Sequence, residues 1–426
     1  MRMHIRQGRL LDPSTKLDRT GDLFIDEGRI IAIDTPPAGF EAEETIDAQG
    51  LWVFPGLVDL AARLREPGQE HKGTISSETL AAASGGITTL CCPPDTDPPI
   101  DTPAEINLIQ RLARQSGNAR VVPLGSITRD LAGEQLSELG ALKAAGLNGV
   151  SNGLIPITNT LVLRRALEYA TGLDLTVHIH PIDPWLANGG CAHEGAVATR
   201  LGLPAIPAAA ETAALGQLLA LVEETGAHVH FCRLSTARGV ALVARAQAEG
   251  LPVSADVAAH QLFLTEMDLA DFNSLCHVIP PLRTQRDLEA LRQGVADGVL
   301  GAICSDHQPH EADAKLAPFP ATAPGMSALE TLLPLTLRLA EEGALDLHTA
   351  LQRVTAGPAG ILGIQAGRLD VGMSADLVIY DPQADWTLDR EQMHSRGHNT
   401  PFQGWSFTGR VRHTLFGGRS VYTTPE

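Results

Sequence analysis

Aromatic residues are scarce in this 426-residue sequence, where Phe, Trp and Tyr together make up 4%. Basic residues are in deficit as well: 32 Lys and Arg stand against 50 Asp and Glu, for a net charge of −18. That balance argues against nucleic acid or an anionic membrane surface as partner, because both are held by basic patches. The six cysteines form no C-x-x-C pair, and reduced thiols in a cytoplasmic protein are the simplest reading. No stretch of about 18 apolar residues stands clear of polar ones, so no transmembrane helix is predicted. The opening MRMHIRQGRLLDPS has no long apolar run of the signal-peptide kind.

What is present suits a large globular protein. The chain is 44% hydrophobic and 19% charged, enough apolar material for a substantial core. Its length exceeds one average domain and fits a large barrel with a small appendage. The first fifty residues read as short strands with tight turns, a Gln-Gly turn in MHIRQGRLLD and a Glu-Gly hairpin signal in DLFIDEGRIIAID. The tail has the same texture in GRLDVGMSADLVIYDP and GRVRHTLFGGRSVYTT. One small β-sandwich domain made from residues 1–52 plus 364–426 is therefore expected, around a barrel over 53–363.

The middle alternates. Eight short apolar or β-branched runs occur: LWVFPGLVDL, GITTLCCPP, ARVVPLGSIT, LNGVSN, LDLTVHIH, AHVHFCRL, LPVSADVAAH and VLGAICSDH. Helical stretches such as AALGQLLALVEET separate most of them. Eight strand–helix repeats predict an α/β fold, a (β/α)₈ TIM-type barrel. A doubly wound open sheet is the alternative, but no G-x-G-x-x-G follows the first run to support a dinucleotide site.

In such barrels the chemistry sits at the C-terminal strand ends. The residues there are Asp59, Ala61, Arg63 and Arg65 after the first run, and Ser151 and Asn152 after the fourth. His178 and His180 close the fifth, His230 and Arg233 the sixth, His260 the seventh, and Asp306, His307 and His310 the eighth. This resembles the rim of a mononuclear or binuclear metal hydrolase with holes in it. Zinc needs imidazole, carboxylate or thiolate lone pairs, and a guanidinium has none to give. Arg63 and Arg233 cannot be ligands, Ala61 offers nothing, and Ser151 and Asn152 are weak neutral oxygens. His180 and Asp306 are the good donors left.

Nearly the whole chain resembles the dihydroorotase family of the amidohydrolase superfamily. The resemblance rests on GLVDLAARLREPGQEHKGTISSET, PPDTDPPID, HIHPIDPWLANGGCAHEG, HVHFCRLSTARGVALVARAQAEG, IPPLRTQRD, SDHQPH and GMSADLVIYD. It implies a metal-bound hydroxide attacking a cyclic amide, with zinc held by His-x-His where this chain has Ala61 and Arg63. The family's bridging carboxylate falls at Ser151 and Asn152, a fifth-strand His at His180, a sixth-strand ligand at Arg233, and an Asp that is both ligand and base at Asp306. For the substrate-like pocket it implies Arg65, with Asp95 and Ile279 replacing two Asn, and His310. Most ligand positions are thus altered. Without metal, water keeps a pKa near 15.7 instead of about 7, so no working catalytic residue and no bound zinc are expected.

A subset of such degenerate dihydroorotases serves as the partner of the aspartate carbamoyltransferase catalytic chain. The resemblance implies that role, as a dimer within a larger hetero-oligomer. An active cyclic-amide hydrolase with a remodelled site is the second reading, and a ligand sensor that keeps a carboxylate pocket around Arg65 is a third. Two readings also stand for Arg63 and Arg233: fixed cations paired with Asp306, or side chains that swing to solvent. Buried, hydrogen-bonded histidines are expected at His178, His180, His230 and His260. Arg65 is expected to hold a carboxylate ligand, Glu66 or a loop carbonyl. Cys91 and Cys92 are expected to pack at a strand end.

Overall fold

The structure is a computed structural model that describes residues 1–424. Both chain ends meet in one eight-stranded sheet. The N-terminal part supplies Met3–Asp12, Leu17–Asp26, Arg29–Ile33, Glu44–Asp47 and Trp52–Pro55, and the C-terminal part Leu377–Thr387, Ser406–Phe416 and Arg419–Thr423. In hydrogen-bonding terms this is one continuous sheet, where two packed sheets of a sandwich were expected. The Glu-Gly signal forms its hairpin: Asp26 pairs with Arg29, and Glu27 and Gly28 take φ of 49° and 77°, as the tight hairpin turn requires. The Gln-Gly signal does not make a turn. Gln7 has φ 57°, and the strand runs on through a register shift between Ile5 and Gly8. One extra residue there makes a β-bulge, because pairing to Leu17–Asp26 resumes beyond it.

The middle of the chain is a TIM-barrel-like α/β arrangement. Parallel strands follow in chain order: Leu57–Asp59, Ile87–Cys92, Arg120–Pro123 with Gly125–Ser126, Gly149–Ser151, Thr176–Ile179, Val229–Phe231, Val253–Ala258 and Ala302–Cys304. A bridge between Ala62 and His307 sets the last beside the first, and the Ser305 amide donates to Asp59 Oδ1 at 2.8 Å. The short run LNGVSN does form a strand. LWVFPGLVDL, read as one strand, divides at Gly56: Trp52–Pro55 pairs in the β sheet and Leu57–Asp59 in the barrel. The glycine is needed there, because a Cβ would lie 2.2 Å from Thr88 Oγ1.

Helices cover the strands for reasons visible locally. Pro103–Ser116 begins at Thr102, whose side chain caps it in a capping box with Glu105, a device worth about 1 kcal/mol. Its Ile106, Ile109 and Ala113 recur on one face and are buried against the strands, and Gly117 at φ 68° ends it. Leu64, Leu90, Val150, Phe231 and Ile303 belong to the large apolar cluster beneath these helices. Among the described residues, no helix is long and apolar enough to cross a membrane.

Candidate functional site

The strand ends bring together residues far apart in sequence. Asp306, at 1% exposure, accepts from Arg233 Nη1 at 2.9 Å and from Gln308 Nε2 at 3.1 Å. Arg63 Nη1 stands 3.5 Å from the same carboxylate, and Arg63 Nε donates to Asp95 Oδ2 at 2.7 Å. Arg63 and Arg233 are themselves buried. They do not swing to solvent: two guanidinium groups and two carboxylates form one ionic cluster. Burial alone would lift Asp95, but the Arg63, Arg65 and Arg233 charges outweigh it and hold its carboxyl below the usual range. Burial opposes the charge on Arg233, and Asp306 more than restores it.

The backbone at these positions is unusual. Arg65, Arg233 and Asp306 take φ of 64°, 58° and 48°, a left-handed conformation costly for residues other than glycine. The Arg233 amide is held by Asp256 Oδ1, whose other oxygen contacts His230 Nε2 at 3.0 Å.

Zinc does not fit this donor set. Asp306 already receives two guanidinium groups and an amide. Asn152 turns its side chain away, accepting from Thr128 Oγ1 and donating to the carbonyls of Leu131 and Ile155. Ser151 accepts from the Gly153 amide, and Ala61 presents a methyl group. His180 retains a free Nε2, while its Nδ1 lies 3.3 Å from the Cys232 carbonyl. Burial, then the Arg233 charge, pushes its imidazole down to about 3. Below it, His178, His230 and Cys232 form the cluster of potential metal donors found among the described residues. His230 is already engaged at both nitrogens, by Ser254 at 2.8 Å and by Asp256.

The four histidines thus divide. His230 is fully hydrogen-bonded and His180 half so. Among the described residues, His178 Nε2 and both nitrogens of His260 lack a partner, against the expectation of hydrogen-bonded core histidines. The carboxylates whose charge reaches them, Asp256 for His178 and Asp306 for His260, are already taken by His230 and the Arg233 amide and by Arg233 and Gln308.

The substrate-like pocket closes on itself. Arg65 Nε donates to the Pro309 carbonyl at 3.1 Å, the loop-carbonyl outcome, while Glu66 accepts from the Ile75 amide. Arg65 Nη2 stands 3.1 Å from His310 Nε2, which also lies 3.0 Å from the Pro324 carbonyl. Burial and the Arg63 charge bring Arg65 down to about 10. The cavity left beside Arg63, Arg65, Gln69 and Asp95 is about 10 Å³, room for about one water. A larger cavity of about 200 Å³ lies over Asn152, Gly153 and His180, walled by Ile155, Ile182 and Trp185. Ile279, the other altered substrate position, packs against the small Ala187–Ile206–Ala210 cluster. Cys91 and Cys92 are buried at their strand end.

Sequence reading missed Gln308, Asp256 and Glu78. Asp256 sits inside the apolar run LPVSADVAAH and Glu78 is the lone acid of the helix ISSETLAAAS, and a solitary carboxylate in such a run is a signal of buried pairing.

The dihydro-orotase-like family matches residues 50–238 and an amidohydrolase family residues 192–422. The "Dihydroorotase-like protein" of Pseudomonas aeruginosa is 54% identical over 99% of this chain and 100% of its own length. The "Dihydroorotase" of Syntrophotalea carbinolica is 43% identical over 99% of both chains. In fold, the L-hydantoinase (dihydropyrimidinase) of Arthrobacter aurescens superposes with a TM-score of 0.89 at 24% identity, over 100% of this chain and 96% of that one. With relatives this similar over their full lengths, and with the strand-end geometry above, the chain belongs to the dihydroorotase-like family of amidohydrolases.

Proposed function

We propose that this chain is a catalytically degenerate dihydroorotase-like subunit of pyrimidine biosynthesis, cytoplasmic, needed structurally to assemble the aspartate carbamoyltransferase complex. The observation that carries the proposal is the Arg63–Asp306–Arg233 cluster. Two fixed cations stand where the family resemblance places metal ligands, and the family's base is tied up between them. Asp306 Oδ1 accepts from Arg233 and its Oδ2 from Gln308, so both oxygens are already engaged. The 10 Å³ space beside Arg65 and Asp95 leaves a cyclic-amide substrate no room at the positions that would recognise it. A chain kept folded but without working chemistry is suited to assembly, as a dimer within a hetero-oligomer with the aspartate carbamoyltransferase catalytic chain.

A second reading, an active hydrolase for dihydroorotate or another cyclic amide, is favoured by two observations. Relatives at 40–43% identity carry the name "Dihydroorotase", and a cavity of about 200 Å³ adjoins His180. The test is mass by light scattering, for this chain alone and mixed with the aspartate carbamoyltransferase chain of the same organism. A discrete larger mixed species, with no dihydroorotate turnover by this chain alone after zinc loading, is the expected result. Two unmixed peaks together with zinc-dependent turnover would replace the first reading by the second.

A further inference from the structure

Another cavity, of about 470 Å³, opens between the loop after the eighth strand and the segment that joins Leu377–Thr387 to Ser406–Phe416. Its size falls within the range of small-molecule sites. Three cations line it, Lys315, Arg390 and Arg396, against one carboxylate, Glu391; His310 and His398 complete its polar wall. Such a concentration of positive charge is against the trend of a chain with net charge −18.

Lys315 is the telling residue. It is 7% exposed, and its ammonium donates to the Ala323 carbonyl at 2.6 Å. No carboxylate oxygen among the described residues lies within 4.0 Å of it. One of its three N–H donors is thereby used and two remain. Burial brings it down to about 8, opposed only by the Cys276 thiol. Beyond His310, the Arg65 and Lys72 side chains add two more cations, 3.1 and 3.5 Å from its ring nitrogens. A buried ammonium with no counter-ion is unfavourable unless an anion completes it. Arg390 and Arg396 are less buried than Lys315, and their planar forks suit tetrahedral oxyanions. A phosphoryl group carries close to two negative charges and three strong acceptor oxygens, which matches three cations better than a single carboxylate would.

We propose that this cavity binds the phosphoryl group of a small phosphorylated molecule, with Lys315 as its buried cation and Arg390 and Arg396 at its rim. The inference is independent of whether the strand-end site is active. The experiment is calorimetric titration of the full chain with inorganic phosphate, pyrophosphate and ribose 5-phosphate, in sodium chloride at constant ionic strength. Saturable binding of at least one probe is expected, weakened at least about tenfold by Lys315→Met and by Arg390→Ser with Arg396→Ser, as for loss of charge-assisted hydrogen bonds. Tighter binding of ribose 5-phosphate would identify a phosphorylated metabolite as the ligand, and tighter pyrophosphate an inorganic one. The double arginine variant decides the matter if Lys315→Met does not fold. No saturable binding of any probe, or the same affinity in the arginine variant, overturns the proposal.

Discussion

Asp306 is a carboxylate surrounded by protein, with Arg233 at 2.9 Å and Arg63 at 3.5 Å facing it. Removing it would leave two buried guanidinium groups, with Asp95 alone to balance them. Breaking a buried ionic group in this way costs about 3–5 kcal/mol, whereas replacing all the partners by apolar residues of similar volume is often neutral. Asp306→Ala is therefore expected to lower the urea midpoint sharply. The triple change Asp306→Leu, Arg63→Met and Arg233→Met should recover most of the loss. An unchanged midpoint in Asp306→Ala would refute the cluster as a structural element. At this scale the identity of the altered positions was legible: that Ala61, Arg63 and Arg233 cannot ligate zinc follows from their side-chain chemistry. Which of two fates the arginines take was not legible, because it depends on whether Asp95 and Asp306 come within reach.

Among the elements, Glu78 ties three pieces of chain together. It lies on the helix Ile75–Ser84 and contacts His307 Nε2 at 2.8 Å, just after the eighth strand. His307 Nδ1 accepts from the Ala328 amide, so Nε2 carries the proton and donates to Glu78. The same carboxylate accepts from Ser395 Oγ at 2.6 Å and from the Arg396 amide at 3.2 Å. Ser395 and Arg396 belong to the C-terminal segment that also supplies Asn399, whose amide donates to the Gln308 and Gly325 carbonyls. One helix residue thus fixes the barrel rim to that segment. Glu78→Gln keeps the volume but loses the charge-assisted bonds, at about 1.5–3 kcal/mol. Hydrogen exchange should then speed up first across 389–400 and the 307–328 loop. Equal protection there, with loss elsewhere, would show that the clamp lies outside Glu78. The sequence encodes the start of the helix locally, in the Thr74 capping box with Ser77. It could not signal the clamp, whose partners are 229 and 317 positions away.

For the whole molecule, pH is the informative variable. Burial pushes His178, His180 and His310 down to about 3, and His260 and His277 to about 4. The unfolded chain protonates its histidines near 6.5, the folded one only near 3 to 4. Between those values the unfolded state binds more protons, so stability rises with pH. The contribution is complete above about 6.5 and is lost as pH falls toward 4. Asp59, raised to about 7 by burial, Glu211, Glu266 and Glu341, also raised, and His394, raised by its bond to Glu330, act in the opposite sense. Among the described residues they are five groups against seven, because burial lowers His193 and His413 as well. The melting temperature is expected to be several degrees lower at pH 5 than at pH 7, read by calorimetry at constant ionic strength. A flat profile would mean that these histidines are hydrated in the folded protein.

The sequence by itself determined the order of strands and helices, the helix caps, the hairpin at Glu27-Gly28 and the donor chemistry of every rim position. Those follow from local periodicity, turn stereochemistry and side-chain lone pairs, which need no knowledge of distant residues. Tertiary structure alone decided that Trp52–Pro55 leaves the barrel for the β sheet and that Gln7-Gly8 bulges where a turn was expected. It also decided that Arg65 turns to a loop carbonyl, and that His178 and His260 keep nitrogens without partners. Each depends on which groups the closed ring of strands sets within about 3 Å of one another, and hydrogen bonds and ion pairs are made or lost over that distance. The same dependence governs the central feature: Arg63 and Arg233 can be read in the sequence as unable to bind metal, but only the fold places Asp306 between them.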